Sequence, residues 1–464
     1  MNKQVFQVDL NVLEKYNQPG PRYTSYPTAV HFNSDFNEQS FIREIKSSNT
    51  GDKMTDISLY FHFPFCHELC FFCACNMIVT HNPVRVERYL DRLKREIELI
   101  GSYIHPDRKV VQMHWGGGTP TYLTPDQLRD IYNHINGHFN FSEDAEISIE
   151  IDPRTVGDNR LSILKELGFN RVSFGLQDFN PLVQKEVNRI QTYEQNAFVI
   201  EESRRLSFDS INVDLMYGLP HQTITSYKDT LDKVLSFSPD RLAVFNYAHV
   251  PWLKKHQAVL PNDVMPGTSE RLNILKHVIE RLTGAGYVYI GMDHFARPDD
   301  ELSLAMANRT LYRNFQGYST RANTEIYALG MSSISQLESA YAQNLKSVKE
   351  YEQRIDAGLP ATHLGVKLTA EDQLRRYVIN EIMCNNRIVK TEVERRFKIS
   401  FDDHFNGIMP DLDVFIDDGL VEVSTEKIEV PNEGRLVVRN IAMVFDAYLK
   451  ADLQKPTPTY SRTV

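Results

Sequence analysis

Four of the chain's five cysteines, Cys66, Cys70, Cys73 and Cys75, lie within ten residues, in the run FHFPFCHELCFFCACN. The fifth, Cys384, is far away. A disulfide framework spreads its cysteines along a chain, so the cluster points to a metal or redox site in a reducing compartment. Three chemistries use such thiols. A structural zinc site ties together two separated cysteine pairs, and no second cluster exists here. A thiol redox motif needs only C-x2-C, which Cys70 and Cys73 supply. An iron–sulfur cluster suits a short looping run of thiolates. Three such ligands leave one iron open, the logic of a catalytic metal with a vacant position.

Other chemistry-bearing residues fall nearby in pattern. Tyr60, His62 and Cys66 share one strand face by parity, which predicts that Tyr60 and His62 point towards the cluster. The segment WGGGTP (115–120) ends a strand-like run, and its glycines are expected to let the backbone approach a ligand closely. Gly117, Gly118, Thr119, Glu150, Gln177, Asp214 and Ala248 fall at C-terminal strand ends, where (β/α) barrels carry their sites.

Six strand-like runs must position these groups: 57–65, 109–117, 145–152, 171–177, 211–218 and 241–250. Helix-like runs separate them at 86–104, 125–139, 161–169, 193–206 and 224–237. Thr124, Pro125 and Gln127 form a helix start with N-cap, N1 proline and capping-box glutamine. The strand faces differ in polarity. Ile147, Ile149 and Ile151 oppose Glu146, Ser148, Glu150 and Asp152. Val172, Phe174 and Leu176 oppose Ser173, Gly175 and Gln177, and Ile211, Val213 and Leu215 oppose Asn212 and Asp214. Central strands of a doubly wound sheet are apolar on both faces. One apolar and one polar face predict an α/β fold: a partly closed parallel (β/α)6 barrel with outer helices and a polar lumen.

The barrel is expected over 56–265. Residues 1–55 read as an N-terminal arm covering the site, with an extended Pro/Tyr-rich segment, PGPRYTSYPT (19–28), and Arg22 as its anion contact. Beyond 265 the pattern turns mostly helical, with helices predicted at 269–283, 322–342, 345–357, 371–385 and 391–397 and a strand at 287–296. Residues 266–365 read as a barrel extension with linker helices. Residues 366–464 read as a mostly helical C-terminal domain, whose order of two helices, two short strands and a final helix resembles a winged helix.

Composition bounds the function classes. The 464 residues are 42% hydrophobic and 24% charged, as in an ordinary globular enzyme. The net charge of −10 argues against broad binding to nucleic acid or anionic lipid, and predicts a soluble monomer. No apolar stretch approaches a membrane span, and the first twenty residues carry no apolar secretory core. A cytoplasmic protein is expected.

The spacing C-x3-C-x2-C after the first strand of a βα barrel resembles the radical S-adenosylmethionine (SAM) superfamily. The resemblance implies that Cys66, Cys70 and Cys73 ligate three irons of a [4Fe–4S] cluster. SAM would bind the fourth iron through its amino and carboxylate groups and yield a 5′-deoxyadenosyl radical. Nearly the whole chain is similar to one family within it, the oxygen-independent coproporphyrinogen III oxidases. The similarity runs through YNQPGPRYTSYPTA (16–29), QMHWGGGTPTYL (112–123), EISIEIDPRT (146–155), GLQDFNPLVQKEVNR (175–189), NVDLMYGLP (212–220) and GMDHFARPDDEL (291–302).

That likeness implies two SAM molecules in the site. Tyr60, Gly117, Glu150 and Ile334 would contact the cluster-bound one. Phe72, Gly118, Thr119, Gln177, Arg189, Asp214 and Ala248 would contact the second. Tyr60, His62 and Cys75 are the candidate catalytic residues, Cys75 being a fourth thiol without an iron. The implied substrate is coproporphyrinogen III, two of whose propionates become vinyls, with electrons exchanged through an unidentified one-electron donor. Its four carboxylates call for cations, and Arg22 is the candidate. The alternative is the superfamily's haem chaperone, which shares the barrel and the three cysteines but is not a decarboxylase. It lacks the PGPRYTSYPT arm and the last cysteine of C-x-C, both present here. A zinc-stapled structural or nucleic-acid-binding protein is a more distant alternative: it would be colourless, a cluster protein brown.

Overall fold

In the computed structural model, six parallel strands run through the middle of a twelve-stranded sheet. The structure describes residues 5–50, 54–157, 159–455 and 460–463. The six are β1 (Ile57–Phe63), β2 (Lys109–Gly117), β3 (Asn140–Ile151), β4 (Arg171–Gln177), β5 (Ser210–Tyr217) and β6 (Arg241–Asn246). They are neighbours in chain order and parallel throughout. Parallel neighbours need long crossovers, supplied by helices Pro83–Gly101, Pro125–Asn136, Arg160–Glu166, Tyr193–Arg205 and Ile224–Phe237. Thr124, Thr192 and Thr223 each start a helix with a reciprocal capping box.

The alternation of polarity is realised. Ile147, Ile149, Ile151, Val172, Phe174, Leu176, Ile211, Val213 and Leu215 are buried in the main core, while Ser148, Glu150, Ser173, Gln177, Asn212 and Asp214 on the other face are half-buried. The sheet continues past β6 with an antiparallel pair, β7 (Val288–Gly291) and β8 (His294–Ala296). On the other side of β1 lie β9 (Glu325–Leu329), β10 (Ile334–Gln336), β11 (Ala340–Asn344) and β12 (Thr362–Lys367). The strand order is β12-β11-β10-β9-β1-β2-β3-β4-β5-β6-β8-β7, so the sheet does not close on itself.

The helix expected over 322–342 is therefore wrong; that stretch is β9, β10 and most of β11. Its Ala, Leu, Glu and Gln favour a helix locally. Tertiary context overrides that preference, because β9 is a seventh parallel strand against β1, and all five of its residues are buried. Gly330 (φ +93°) and Ser332 (φ +60°) adopt left-handed turns that a helix cannot contain. The strand expected to 250 ends at Asn246, because β5 ends at Tyr217 and Gly218 (φ +89°) turns away.

Residues 5–50 are more than a surface arm. Helix Glu38–Ser48 buries Phe41 and Ile45 in the main core, whereas Tyr16, Tyr23 and Tyr26 enter a second core with Leu374, Ile382, Val393, Phe401, Phe415 and Ile441. Arg439 ties the segment down by donating to the carbonyls of Gly20 (2.6 Å) and Pro21 (3.1 Å). The C-terminal region has helices Ala370–Asn380 and Lys390–Phe397 and a three-stranded sheet of Arg387–Val389, Lys427–Glu429 and Glu422–Val423. The expected last helix is a 3-10 turn, Asn432–Val437, followed by the short helix Val438–Met443. No helix among the described residues is long and apolar enough to cross a membrane.

Candidate active site

The cysteine loop leaves the end of β1 and is closed at its base. Phe65–Cys66 pairs with Ile78–Val79 in a short parallel ladder, with Ile78 N donating to Pro64 O (2.6 Å). The glycine segment is stitched to the same base: Gly118 N donates to Phe63 O (2.8 Å) and Thr119 N to Phe65 O (2.9 Å). The loop's carbonyls are held from outside. Asn188 Nδ2 donates to Leu69 O (2.8 Å), Gln257 Nε2 to Phe72 O (3.0 Å), His256 Nε2 to Cys73 O (2.7 Å) and Lys254 Nζ to Cys75 O (3.0 Å). These bonds hold the thiols in place through the fold.

Cys66, Cys70, Cys73 and Cys75 line one cavity of about 680 Å³ at the strand ends, together with Phe72, Gly117, Gly118, Thr119, Glu150, Gln177, Arg189 and Asp214. All five cysteines are free thiols. Cys70 Sγ faces two guanidiniums, with Arg154 Nη2 and Arg189 Nη1 each at 3.5 Å. The hydrogen bond from Cys75 brings Cys73 down to about 7, helped by Lys254 and Arg189. Burial pushes Cys66 up to about 11 against the lowering contact with Thr119 Oγ1 at 3.4 Å. Three converging thiols, two cations beside them and an unpartnered buried Gln177 Oε1 at the same cavity fit an iron–sulfur centre with a polar ligand.

The carboxylates divide by environment. Burial opposes the charge on Glu150, yet His114 Nε2 (3.3 Å) and Gly117 N (3.1 Å) donate to it and hold it below the ordinary range. Burial, with the Glu150 charge, pushes Asp214 up to about 6, although Ser173 and Asn212 donate to it. Burial also opposes charge on Asp152, but Arg189 (3.0 Å) and Arg154 (2.7 Å) hold it at about 2. Arg189 is thus already paired, its Nη2 donating to Gly175 O at 2.7 Å, while its Nε is buried without a partner.

Five expected site residues lie outside this cavity's lining. Tyr60 and His62 form a pair on β1. Carbonyl Asn76 O, 2.8 Å from Nε2, needs a donor, so His62 carries its proton there, and Nδ1 accepts from the Tyr60 hydroxyl at 3.2 Å. Burial lowers the His62 pKa and keeps it neutral. Ile334 packs on β10 beside Phe32 and Tyr341. Ala248 and Arg22 line a second cavity, and Arg22 is paired with Asp293.

Gly117 and Gly118 line the cavity and are also pressed against the base of the cysteine loop. A Cβ on Gly117 would lie 2.6 Å from the His62 ring, and one on Gly118 2.6 Å from the Pro64 carbonyl. Glycine at both positions makes room for the cysteine loop's base as well as leaving backbone at the cavity wall. The sequence reading missed Asp152 and Arg154 as a unit beside Cys70. Their signal was the acidic–Pro–Arg turn directly after a strand end, in which Asp152 caps the turn by accepting from Arg154 N (3.0 Å).

Residues 60–234 match the Radical SAM superfamily, and residues 368–437 match the HemN C-terminal domain. The chain is 45% identical to the oxygen-independent coproporphyrinogen III oxidase of Synechocystis, over 95% of each chain. It is 44% identical to the enzyme of that name from Escherichia coli, over 97% of each. The solved structure of the radical SAM enzyme coproporphyrinogen III oxidase (HemN) from Escherichia coli superposes with a TM-score of 0.91 at 43% identity, covering 96% of this chain and 100% of that one. With the cysteine loop, the parallel barrel strands and the C-terminal domain all accounted for, the chain belongs to the oxygen-independent coproporphyrinogen III oxidase family of the radical SAM superfamily.

Proposed function

We propose that this protein carries out the oxygen-independent oxidative decarboxylation of coproporphyrinogen III to protoporphyrinogen IX, turning two propionates into vinyls. One observation carries the reading. The three cysteines of C-x3-C-x2-C converge on a cavity otherwise walled by the polar strand ends, in a chain alike along its length to enzymes of that name. Cys66, Cys70 and Cys73 would hold the [4Fe–4S] cluster. When bound, the cluster and SAM supply the one-electron chemistry that removes a hydrogen atom from the propionate.

The chain's own residues bind and orient. Glu150, kept charged, accepts from an ammonium group. Asp214, with Asn212 and Ser173 ordered around it, offers an acceptor to hydroxyls. Arg154 and Arg189 flank the Cys70 sulfur and lock Asp152. His62 anchors the end of the cysteine loop through Asn76 O, which makes it a positioning residue. With two SAM molecules in the cavity, Gly117 and Glu150 would hold the cluster-bound one, and Phe72, Gly118, Thr119, Gln177, Arg189 and Asp214 would hold the second. The electron comes from a donor outside the chain.

The test is anaerobic turnover of the reconstituted protein with SAM, a reductant and coproporphyrinogen III. Vinyl product matched by 5′-deoxyadenosine is the expected result. SAM cleavage without decarboxylation, alongside tight haem binding, would move the protein to the chaperone reading.

A further inference from the structure

We propose that a second, arginine-walled cavity receives the carboxylates of the substrate, with Arg271 as a ligand-binding residue; this rests on the decarboxylase reading. The cavity measures about 560 Å³, within the range of small-molecule sites. It adjoins the cluster cavity at the end of β6: Phe245 lines the first, and Asn246 to Val250 line the second.

Its charge is the main observation. Arg22, Arg271, Arg435, Arg439 and Arg462 line it, and Asp293 is the single carboxylate among the described lining residues. This surplus of cations sits inside a chain of net charge −10. Asp293 is engaged by Arg22. Arg439 is buried and, among the described residues, bonds only backbone carbonyls, those of Gly20, Pro21, Arg462 and Thr463. Burial and the Arg22 charge push it down to about 9, a pressure that an anion would relieve. Arg435 donates to Tyr289 O, but its Nε is buried without a partner. Among the described residues, no hydrogen bond or ion pair engages the Arg271 side chain. A buried charged donor left unsatisfied, as Arg435 Nε is, is costly unless a ligand or water satisfies it, and the half-buried Arg271 guanidinium stands open to the cavity beside it.

The remaining wall is apolar, with Tyr247, Trp252, Leu253 and Leu275. Several cations around an apolar body suit a ligand with several carboxylates on an apolar framework. SAM carries an ammonium and a sulfonium against one carboxylate, so its net charge is positive and this cavity repels it. The cluster cavity has the opposite balance, with Glu68, Glu150, Asp152 and Asp214 against Arg154 and Arg189. The two ligands are thereby sorted by charge into adjoining sites. Ala248, which the family resemblance gives to a second SAM, lies on the substrate side.

Equilibrium dialysis of the reconstituted holoenzyme would test this with three probes: coproporphyrin III, its tetramethyl ester and SAM. Arg271→Gln is expected to raise Kd for the tetracarboxylate about 10- to 100-fold, the worth of a charged hydrogen bond. Arg271→Lys should recover part of that, and neither variant should change binding of the ester or of SAM. An unchanged Kd for the tetracarboxylate in Arg271→Gln overturns the proposal. Equal weakening of the ester, or weakening of SAM instead, overturns it as well. Failure of wild-type protein to make protoporphyrinogen would sink the decarboxylase reading by itself, whereas these binding constants judge the arginine cavity separately.

Discussion

A Cβ placed on Gly118 would lie 2.6 Å from both the carbonyl carbon and the carbonyl oxygen of Pro64. Gly118 N also donates to Phe63 O at 2.8 Å, so the glycine segment and the base of the cysteine loop are pressed together backbone to backbone. Gly118→Ala must push the loop off this seat. The expected cost is about 1–3 kcal/mol of stability, as for overpacking, together with loss of iron after reconstitution. Thermal melting and iron content per chain are the measurements; a variant with wild-type values for both would show that the contact is relieved elsewhere.

Cys66→Ser, Cys70→Ser and Cys73→Ser should each abolish the cluster and all SAM cleavage. Cys75→Ser should retain the iron and lose decarboxylation. Iron and labile sulfide per chain, read beside 5′-deoxyadenosine yield, separate the two classes. Loss of most of the iron in Cys75→Ser would make that residue a ligand.

Arg189 and Asp152 form a buried ion pair at 3.0 Å, with Arg154 on the same carboxylate. Arg189→Met leaves that carboxylate half-compensated and should cost about 3 kcal/mol at neutral pH. Asp152 titrates at about 2 in the folded chain, below its unfolded value. Its stabilisation is therefore present above pH ~4 and is lost as pH falls towards 2. In Arg189→Met the folded value lies nearer the unfolded one, so less stability is at stake, and the gap between wild type and variant should narrow as pH falls from ~4 towards about 2, which melting curves at pH 7 and pH 3 would reveal. Parallel curves for variant and wild type would refute the assignment.

Glu96 links helix Pro83–Gly101 to the turn after β9. Its carboxylate accepts from Gly330 N, Asn344 Nδ2 and the Tyr351 hydroxyl, each at 2.7 Å. Glu96→Gln turns an amide N–H onto one of these donors and should cost about 2 kcal/mol. Burial pushes the Glu96 carboxyl up to about 7, against the lowering bonds from Tyr351 and Gly330. A raised folded value contributes stability that is full below pH ~4.3 and falls away as pH rises through about 7. The stability gap between wild type and Glu96→Gln should narrow from pH 5 to pH 8. A gap independent of pH would mean that Glu96 stays ionised throughout.

Much of the site was legible without coordinates because its information is local. The four thiols are close in sequence, so their convergence on one short loop is read directly from the spacing. Strand alternation is likewise local: Ile147, Ile149 and Ile151 against Ser148 and Glu150 assign a core face and a lumen face by a period of two. The capping box at Thr124 and Gln127 needs only four residues.

The tertiary structure decided what depends on distant partners. Residues 322–342 carry helix-forming side chains, and only the slot beside β1 makes them strands. The turn glycines look like a ligand cradle in sequence, and only their approach to His62 and Pro64 shows that they seat the cysteine loop. The arginine cavity draws on positions 22, 271, 435, 439 and 462, which no spacing rule connects. Whether an arginine is paired or left facing a cavity depends on which carboxylates the sheet order and the two cores bring near. That placement exists only once the chain is folded.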